Sequence, residues 1–319
     1  FGALSDWSMA TVTDSTEEGV WSVNVTKMTD RLYFLNSTGG VPQGSAVYGG
    51  SGRMLGVVAR LSSPDLKPEA ALTTRGKVDI RGTAEVHGED QTPPGWGAHC
   101  SSYPLEDHPG ILINKKADVG YKGDGSLSGN PEIQEADPPL TDQYFTEFGD
   151  LSWDDLVARA DIRLAGGNIN NTHPDSTADG RCLTGQAHPY NWGNPLNPDA
   201  ACGDYFPMIY VDGDASIQSG GVGQGILLIE GNADIRGNFI FHGIIIVQGN
   251  FETQGTGNHV YGSVLASNAT LDLQKLVGSS VLEYSGCAAT RAVLFNRALT
   301  RVRPIERRSW VDLSSAVSG

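Results

Sequence analysis

The 319-residue sequence has no run of 18 or more apolar residues and few basic residues. Without such a run, the chain offers no segment for a membrane-spanning helix. Lys and Arg number 22 against 37 Asp and Glu, so the formal net charge is −15. A surface this acidic repels phosphate backbones, and we expect no nucleic-acid partner.

The basic residues that do cluster lie near the end of the chain. A solvated segment is the simpler interpretation, and a docking edge for an acidic neighbouring subunit is the alternative. They are Arg291, Arg297, Arg301, Arg303, Arg307 and Arg308.

Familiar catalytic and cofactor motifs are also missing. There is no G-x-S-x-G, P-loop or H-E-x-x-H sequence, and no G-x-G-x-x-G opening a helix. The histidines are dispersed, and His173, His188 and His242 share no metal-ligand spacing. Asp212 and Asp214 are too few for a full calcium shell, so turn chemistry explains them better. We therefore expect no enzyme, no cofactor and no metal.

The four cysteines form no C-x-x-C pair, which argues against a zinc site. An even number of scattered cysteines favours disulfides in an oxidising compartment. Cys182 and Cys202 flank a short loop rich in Pro, Gly and Asn, and we expect them to pair. Cys100 and Cys287 would then form the second bond.

A high glycine content, 41 residues, favours strands and tight turns over helices. The strongest pattern is a repeat of 18 residues, which starts at Ile209, Leu227 and Ile245 and continues more weakly from Ser263. A fifth copy lies far upstream at 78–86. Such a period predicts a parallel β-solenoid, in which each coil pairs with the next.

Because 18 is even and strand side chains alternate faces, every copy should point the same positions inward. The predicted core ladders are Val211, Ile229, Val247 and Leu265; Ala215, Ala233, Phe251 and Ala269; and Ile217, Ile235, Thr253 and Leu271. Ile80, Ala84 and Val86 fit the same inward pattern.

A second ladder is apolar although it lies on the outward parity. It consists of Tyr210, Leu228, Ile246 and Val264. An exposed apolar strip of this size needs a cover. A helix of the same chain is the favoured cover, and a subunit interface is the alternative.

The remaining sequence predicts the domain organisation. The parts are 1–66, a polar tail and an antiparallel strand unit; 67–88, the first coil; 89–205, a long insertion with helices near 141–160; 206–287, the main solenoid; and 288–319, a C-terminal helix and closing strand. Ser152 is a candidate helix cap, and Ala288 to Leu299 has an apolar helical face.

A polysaccharide lyase or hydrolase on a parallel β-helix is the enzyme alternative. Asp234 and Glu252 occupy one outward position on successive copies, with Glu85 at the same position of the upstream copy. Paired carboxylates of this kind can cleave glycosidic bonds. A solvated polar face explains them more simply.

Other residues are candidates for contact or modification. Trp96, Tyr103, Tyr190 and Trp192 lie in the insertion and could contact sugars or a partner. N-x-S/T sequons, which are glycosylation acceptors in some secreted proteins, occur at Asn24, Asn36, Asn170 and Asn268.

The arrangement resembles the PilX-like accessory proteins of bacterial type IV pilus systems, and more loosely the minor pilins that carry a β-solenoid. Three features carry this resemblance: an antiparallel unit at 19–61 before the first coil at 76–82, a helical insert around 145–156, and a short helix with a closing strand at 302–313. Members of that family begin with a hydrophobic helix that this sequence lacks, so either that helix was removed or the protein assembles by another route. The sequence also has no signal-peptide pattern and no initiator Met, and we expect a processed or truncated product.

These patterns predict an extracellular or cell-surface structural subunit, pilus-related or filament-forming, that presents its insertion loops for adhesion. Its partners would be copies of itself, other filament subunits or surface glycans. A carbohydrate-active enzyme and a monomeric surface-binding module are the alternatives.

Overall fold

The computed structural model describes residues 5–16, 19–29, 32–40, 52–62, 64–218, 220–271, 280–296, 298–299, 301–305 and 310–313. The protein is mostly β, as the glycine-rich composition predicts. It divides into two units, one formed by 1–63 with 300–319 and the other by 64–299.

The strands are β1 (Met9–Thr16), β2 (Gly19–Thr29), β3 (Leu32–Gly40), β4 (Gly52–Ser62), β5 (Leu72–Thr74), β6 (Val78–Gly82), β7 (Glu85–His87), β8 (Ile111–Ile113), β9 (Val119–Gly123), β10 (Ser126–Ser128), β11 (Ile133–Glu135), β12 (Glu147–Phe148), β13 (Leu151–Ser152), β14 (Ile162–Asn170), β15 (Met208–Gln218), β16 (Val222–Ile229), β17 (Ala233–Arg236), β18 (Ile240–Gln254), β19 (His259–Leu271), β20 (Val281–Tyr284), β21 (Arg301–Pro304) and β22 (Trp310–Asp312). The helices are α1 (Gly97–Cys100), α2 (Asp142–Thr146), α3 (Trp153–Ala158) and α4 (Gly286–Leu294), with a 3₁₀ turn at Lys116–Asp118.

The first unit is an antiparallel sheet in the order β1-β2-β3-β4-β21, with β22 also pairing with β4. The antiparallel unit expected at 19–61 is present as β2, β3 and β4. The polar tail expected over 1–18 needs correction, because β1 pairs with β2 along its whole length. Alternating Thr and Val favour a strand there. Two short strands, β21 and β22, occur within about the range expected for the closing strand at 302–313, and both pair with β4.

The second unit is built from parallel strands in three stacks. Stack A contains 162–165, 208–211, 226–229, 244–247, 263–266, 72–74, 111–113 and 133–135, each paired with the next. Stack B contains 167–170, 215–218, 233–236, 251–254, 269–271, 78–80 and 119–121. Stack C contains 222–225, 240–243, 259–262, 281–284, 85–87 and 126–128.

Pairing between β15, β16, β17 and β18 has an offset of 18 residues, the period of the repeat. The chain passes through stacks A, B and C in turn, and inward side chains from all three share one core cluster. The upstream copy is remote in sequence but adjacent in space, because β5 and β6 pair directly with β19. The stacking order therefore differs from the chain order.

One predicted ladder fails at its fourth member. Ile246, not Val247, pairs with Leu265, so Leu265 packs in the outer cluster while Val264 and Ala266 enter the core. The turn at 255–258 is one residue longer than the turn at 237–239, which shifts the start of β19 by one residue. The register shifts between Val247 and Asn250, and from Asn250 onward the pairing offset is again 18 residues.

The alignment of the upstream copy also needs correction. Leu72, not Val78, is equivalent to the start of the repeat, since Leu72 pairs with Val264 while Val78 pairs with Ala269. Ile80, Ala84 and Val86 are nonetheless buried in the core, as expected.

Residues 89–205 are not a simple insertion. Strands β8 to β11 extend one end of the stacks, and β14 extends the other. β8, β10 and β11 have three residues each, too few to give a visible alternation. The sequence pattern therefore missed them.

The outward apolar ladder is covered by helices of the same chain, which confirms the favoured interpretation. Tyr210, Leu228, Ile246 and Leu265 share a cluster with residues of α2, α3 and α4. α4 packs on β16, β18 and β19. A subunit interface is not needed to bury this ladder.

Helix ends follow local sequence at α3 and differ from the expectation at α2 and α4. Ser152 caps α3, accepting from Asp155 N at 3.1 Å, while the Asp155 carboxylate accepts from Ser152 N. The helix expected from Asp142 to Phe148 stops at Thr146, because β12 pairs with β13. α4 spans Gly286–Leu294, earlier than the predicted range of 288–299.

Candidate functional site

One end of the parallel stacks is the strand β14, which has β15 as its strand partner in the described part of the chain. The Gln186 amide closes the outer edge at one point, accepting from Arg163 N at 2.7 Å and donating to Arg163 O at 3.0 Å. Beyond it, Ala165 to Asn170 have no outer backbone partner among the described residues, and most of them are exposed. This edge can accept another strand.

The opposite end is formed by β9, β10 and β11, one strand from each stack. In the described residues, none of them has a strand partner on its outer side. Val119, Leu127 and Ile133 pack against the core but remain partly exposed. The last layer of the core is therefore incompletely covered by the described residues of its own unit.

The polar ladder that motivated the enzyme alternative lies on stack B. Ser216, Asp234, Glu252 and Thr270 pair in register, as predicted. Glu85 does not belong to it, because Asp79 pairs with Thr270 and Glu85 lies on stack C. The corrected alignment of the upstream copy explains the error.

Two acidic groups of this stack, Asp234 and Asp79, are held by neighbouring cations. Arg236 Nε donates to the Asp234 carboxylate at 2.7 Å. Arg81 donates to Asp79 at 2.7 Å, and Lys122 Nζ lies 3.8 Å from the same carboxylate. The Arg81 hydrogen bond lowers the pKa of Asp79 against an opposing effect of burial, with further help from Lys122. A general acid for glycoside cleavage needs the opposite shift.

Stack C carries an outward cluster that the sequence did not reveal. His259 Nε2 lies 2.8 Å from Glu283 Oε2, and its ring stacks on Tyr261. Glu283 pairs in register with His87, whose Nε2 lies 3.1 Å from Glu85 Oε2. These histidines are 172 residues apart in the chain (259 − 87), and only the stacking order brings them together.

Ser128 joins this cluster in an arrangement that resembles a Ser-His-Glu triad. Its Oγ lies 2.8 Å from His87 Nδ1, but its hydroxyl donates to Glu89 Oε2 at 2.5 Å. Because the Ser128 hydroxyl carries one proton, it cannot donate to Glu89 and to His87 Nδ1 at the same time. The Ser128 hydrogen bond also lowers the pKa of Glu89, against a smaller effect of burial. The His87–Ser128 contact links β7 to β10.

The four aromatic residues proposed for contact divide into two classes. Trp96 and Trp192 are fully buried and donate to the carbonyls of Pro195 and Pro189, so their proposed surface role is wrong. Tyr190 is 45% exposed and Tyr103 is partly buried. Burial of Trp96 and Trp192 follows from packing against the stacks, which composition cannot reveal.

The sequons occupy different settings. Asn24 and Asn36 face each other across β2 and β3. Asn170 is exposed on β14, and Asn268 is exposed while its amide donates to Asn250 Oδ1 at 2.9 Å. Glycosylation of these sites stays a prediction.

Two disulfides hold the second unit, and both join the pairs that the sequence favoured. Cys182 is bonded to Cys202, and Cys100 is bonded to Cys287 in the first turn of α4. Asp90 also holds this turn, accepting from Gly286 N at 2.9 Å. Burial raises the pKa of Asp90, and the hydrogen bonds that its carboxylate accepts from Gly286 N and Glu106 N oppose this shift.

The C-terminal arginines are not one surface. Arg291 is buried, with its guanidinium 4.3 Å from the Phe295 ring centre and 3.3 Å from Asp204. The side chains of Arg297, Arg301, Arg303, Arg307 and Arg308 lie outside the described residues. A docking edge formed by them stays a prediction.

Asp214, considered for calcium, accepts from both the backbone and the amide of Asn232. Within the described ranges, no group of three or more His, Cys, Asp or Glu could hold a metal ion. Helices in the described residues are all too short or too polar to cross a bilayer.

Comparisons with known proteins give little guidance. No family model matches the chain, and no curated protein matches it. Among solved structures, the competence-associated pilin ComZ from Thermus thermophilus matches at 12% identity, over 96% of this chain and 86% of that one, with a TM-score of 0.29. At that TM-score the likeness supports no conclusion about fold or function.

Proposed function

We propose that this protein is an extracellular or cell-surface structural subunit, pilus-related or filament-forming, and that it is not an enzyme. In this proposal the three stacks are the faces of a parallel β-solenoid with about 18 residues per coil. Coils of neighbouring copies would continue one another end to end.

The observation that carries the proposal is the pair of unpaired parallel edges at the two ends of the stacks. β14 offers its outer edge at one end, and β9 to β11 offer theirs at the other, within the described part of the chain. All paired strands of the stacks run in the same direction, so a second copy in the same orientation can add the next coil.

Two further features support this role. A pair of disulfides fits an oxidising compartment outside the cytosol. Exposed apolar side chains in the 171–205 segment, Tyr190 at 45% and Leu196 at 57%, suit adhesion to a surface, a partner or a glycan.

The proposal that the protein is not an enzyme rests on the chemistry of the polar clusters on stacks B and C. Asp234 and Asp79 on stack B are paired with cations, and the Ser128 hydroxyl donates to the Glu89 carboxylate. Release of soluble products from acidic polysaccharides, lost on Asp234→Ala, would overturn this part and favour a lyase or hydrolase.

Lysines placed on the β14 edge test the assembly. Ala165→Lys with Asn168→Lys should abolish filaments, because a charged edge strand resists addition of another strand. The matched control is Ser216→Lys, which adds a lysine to the same face one strand further in, opposite Asn168. Negative-stain microscopy and light scattering report the outcome. Wild-type protein that stays monomeric at high concentration contradicts the filament proposal and favours a monomeric binding module.

A further inference from the structure

The edge strand β1 of the first unit is long and regular. Eight consecutive residue pairs join it to β2, from Met9–Thr26 to Thr16–Gly19, without a bulge. No described strand lies on its other side. Lys27 N donates to Ser8 O, so the backbone groups of Ser8 face β2. In an antiparallel pair the N–H and C=O groups of successive residues point alternately towards and away from the neighbouring strand. The backbone groups that point away from β2 are therefore those of Met9, Thr11, Thr13 and Ser15.

Within the described residues, this edge lacks the features that normally protect an edge strand. Edge strands are kept apart by lysines, prolines, bulges or a cover. β1 reads Met-Ala-Thr-Val-Thr-Asp-Ser-Thr, with Asp14 as its single charged residue. Met9 is 59% exposed and Val12 is 42% exposed. The edge is flat, nearly uncharged and partly apolar.

The opposite side of the same sheet shows the contrast. β21 reads Arg-Val-Arg-Pro, so it carries two positive charges and a residue without a backbone N–H. β21 thus has two of the usual safeguards, whereas β1 has none of them within the described residues. This difference between β1 and β21 is expected if β1 has a partner.

We infer that β1 pairs antiparallel with β1 of a second copy, which makes one continuous sheet across two molecules. A two-fold axis normal to the sheet keeps each face of the sheet on the same side. It therefore pairs residues of the two copies whose side chains lie on the same face. Centred on Val12, it places the two Val12 side chains together, Thr11 opposite Thr13, and Asp14 opposite Ala10. The single charge of each strand then faces an uncharged residue, so the electrostatic cost of self-pairing is small.

This interface differs from the end-to-end contact proposed above and does not depend on it. It uses the first unit, whereas filament growth uses the edges of the second. Variants at Ala165 and Asn168 therefore leave it intact, and variants of β1 leave the ends of the stacks intact.

Analytical ultracentrifugation of the full chain across a concentration series tests the pairing. Wild type should dimerise, and Thr13→Lys should weaken the dimer about tenfold or more. Thr38→Lys is the matched control, because Thr13, Ser22 and Thr38 form one row across β1, β2 and β3, and Thr38 is an exposed interior position. It should leave the dimer unchanged. The circular dichroism melting curve of each variant verifies folding.

A single cysteine locates the axis. Val12→Cys should form an intermolecular disulfide on mild oxidation, because residues on a two-fold axis face each other at bonding distance. Thr38→Cys should not. A wild type that stays monomeric, equal weakening by Thr13→Lys and Thr38→Lys, or no cross-link from any single cysteine between positions 11 and 15 overturns the inference.

Discussion

At the residue scale, His242 is the most unusual group in the protein. Its side chain is 1% exposed, and its two ring nitrogens have no hydrogen-bond partner among the described residues. It lies between the rings of Trp96 and Tyr261, each at 4.9 Å between centroids. Burial lowers the pKa of His242 to about 3, with a smaller contribution from His259. The imidazole is neutral in the folded protein at neutral pH.

This burial makes stability depend on pH. Between pH 6.5 and 3 the unfolded chain binds a proton at His242 that the folded protein does not, so stability falls as pH is lowered. At pH 5 the free energy of unfolding should be about 2 kcal/mol lower than at neutral pH, because each pH unit below 6.5 costs about 1.36 kcal/mol. His242→Phe should remove this loss and raise the melting temperature at pH 5. Urea unfolding between pH 5 and 8 measures it, with the exposed His173→Phe as control. A variant with the wild-type pH dependence would contradict the assignment.

Glycine at the turns between stacks A and B has a steric reason. A Cβ at Gly231 would lie 2.7 Å from Asp214 N, and one at Gly249 would lie 2.7 Å from Gly231 O. Stacked turns approach too closely for a side chain at these positions. The recurrence of glycine in the repeat is therefore a consequence of stacking and was readable from sequence.

At the scale of single elements, α4 is fixed at its first turn by a cap and a disulfide. Ser285 Oγ accepts from Ala288 N at 3.3 Å, and Cys287 is bonded to Cys100. Ala288, Ala289 and Ala292 are buried against the outward apolar ladder. Small side chains let the helix lie close to the strands, and the disulfide keeps it there.

The two disulfides should contribute unequally to stability. Cys100–Cys287 closes a loop with a sequence separation of 187, against 20 for Cys182–Cys202. Loop-closure entropy then gives about 5 kcal/mol for the first and about 3 kcal/mol for the second. Replacing each pair by serine and measuring the free energy of unfolding in urea tests the order. A larger loss for Cys182→Ser with Cys202→Ser would show that native-state contacts around the bonds outweigh loop entropy.

At the scale of the whole molecule, both hydrophobic core clusters found among the described residues belong to the second unit. Both core clusters and both disulfides lie between Leu66 and Leu299. A fragment of residues 64–299 should therefore fold cooperatively with both disulfides formed. Circular dichroism and the sharpness of its thermal transition report this. A fragment that expresses only as aggregate, while the full chain is soluble, would show that the first unit is needed for folding.

The sequence determined those features that depend on short range or on a constant period. The 18-residue spacing set the inward parity of Val211, Ile229 and Val247, because an even period returns each side chain to the same face. It also indicated that the outward ladder needed a cover, and it favoured both cysteine pairs. Ser152 was recognisable as a cap from its neighbours alone.

Only the tertiary structure decided which distant segments became neighbours. The pairing of β5 with β19, the extra residue at 255–258 and the cluster of His87 with His259 depend on contacts across long stretches of chain. A one-residue change in a turn reverses the facing of every following side chain until the register recovers, as Val264 and Leu265 show. Which strands lie at an edge is likewise decided by the tertiary structure, because a strand lies at an edge when no further strand pairs with its outer side.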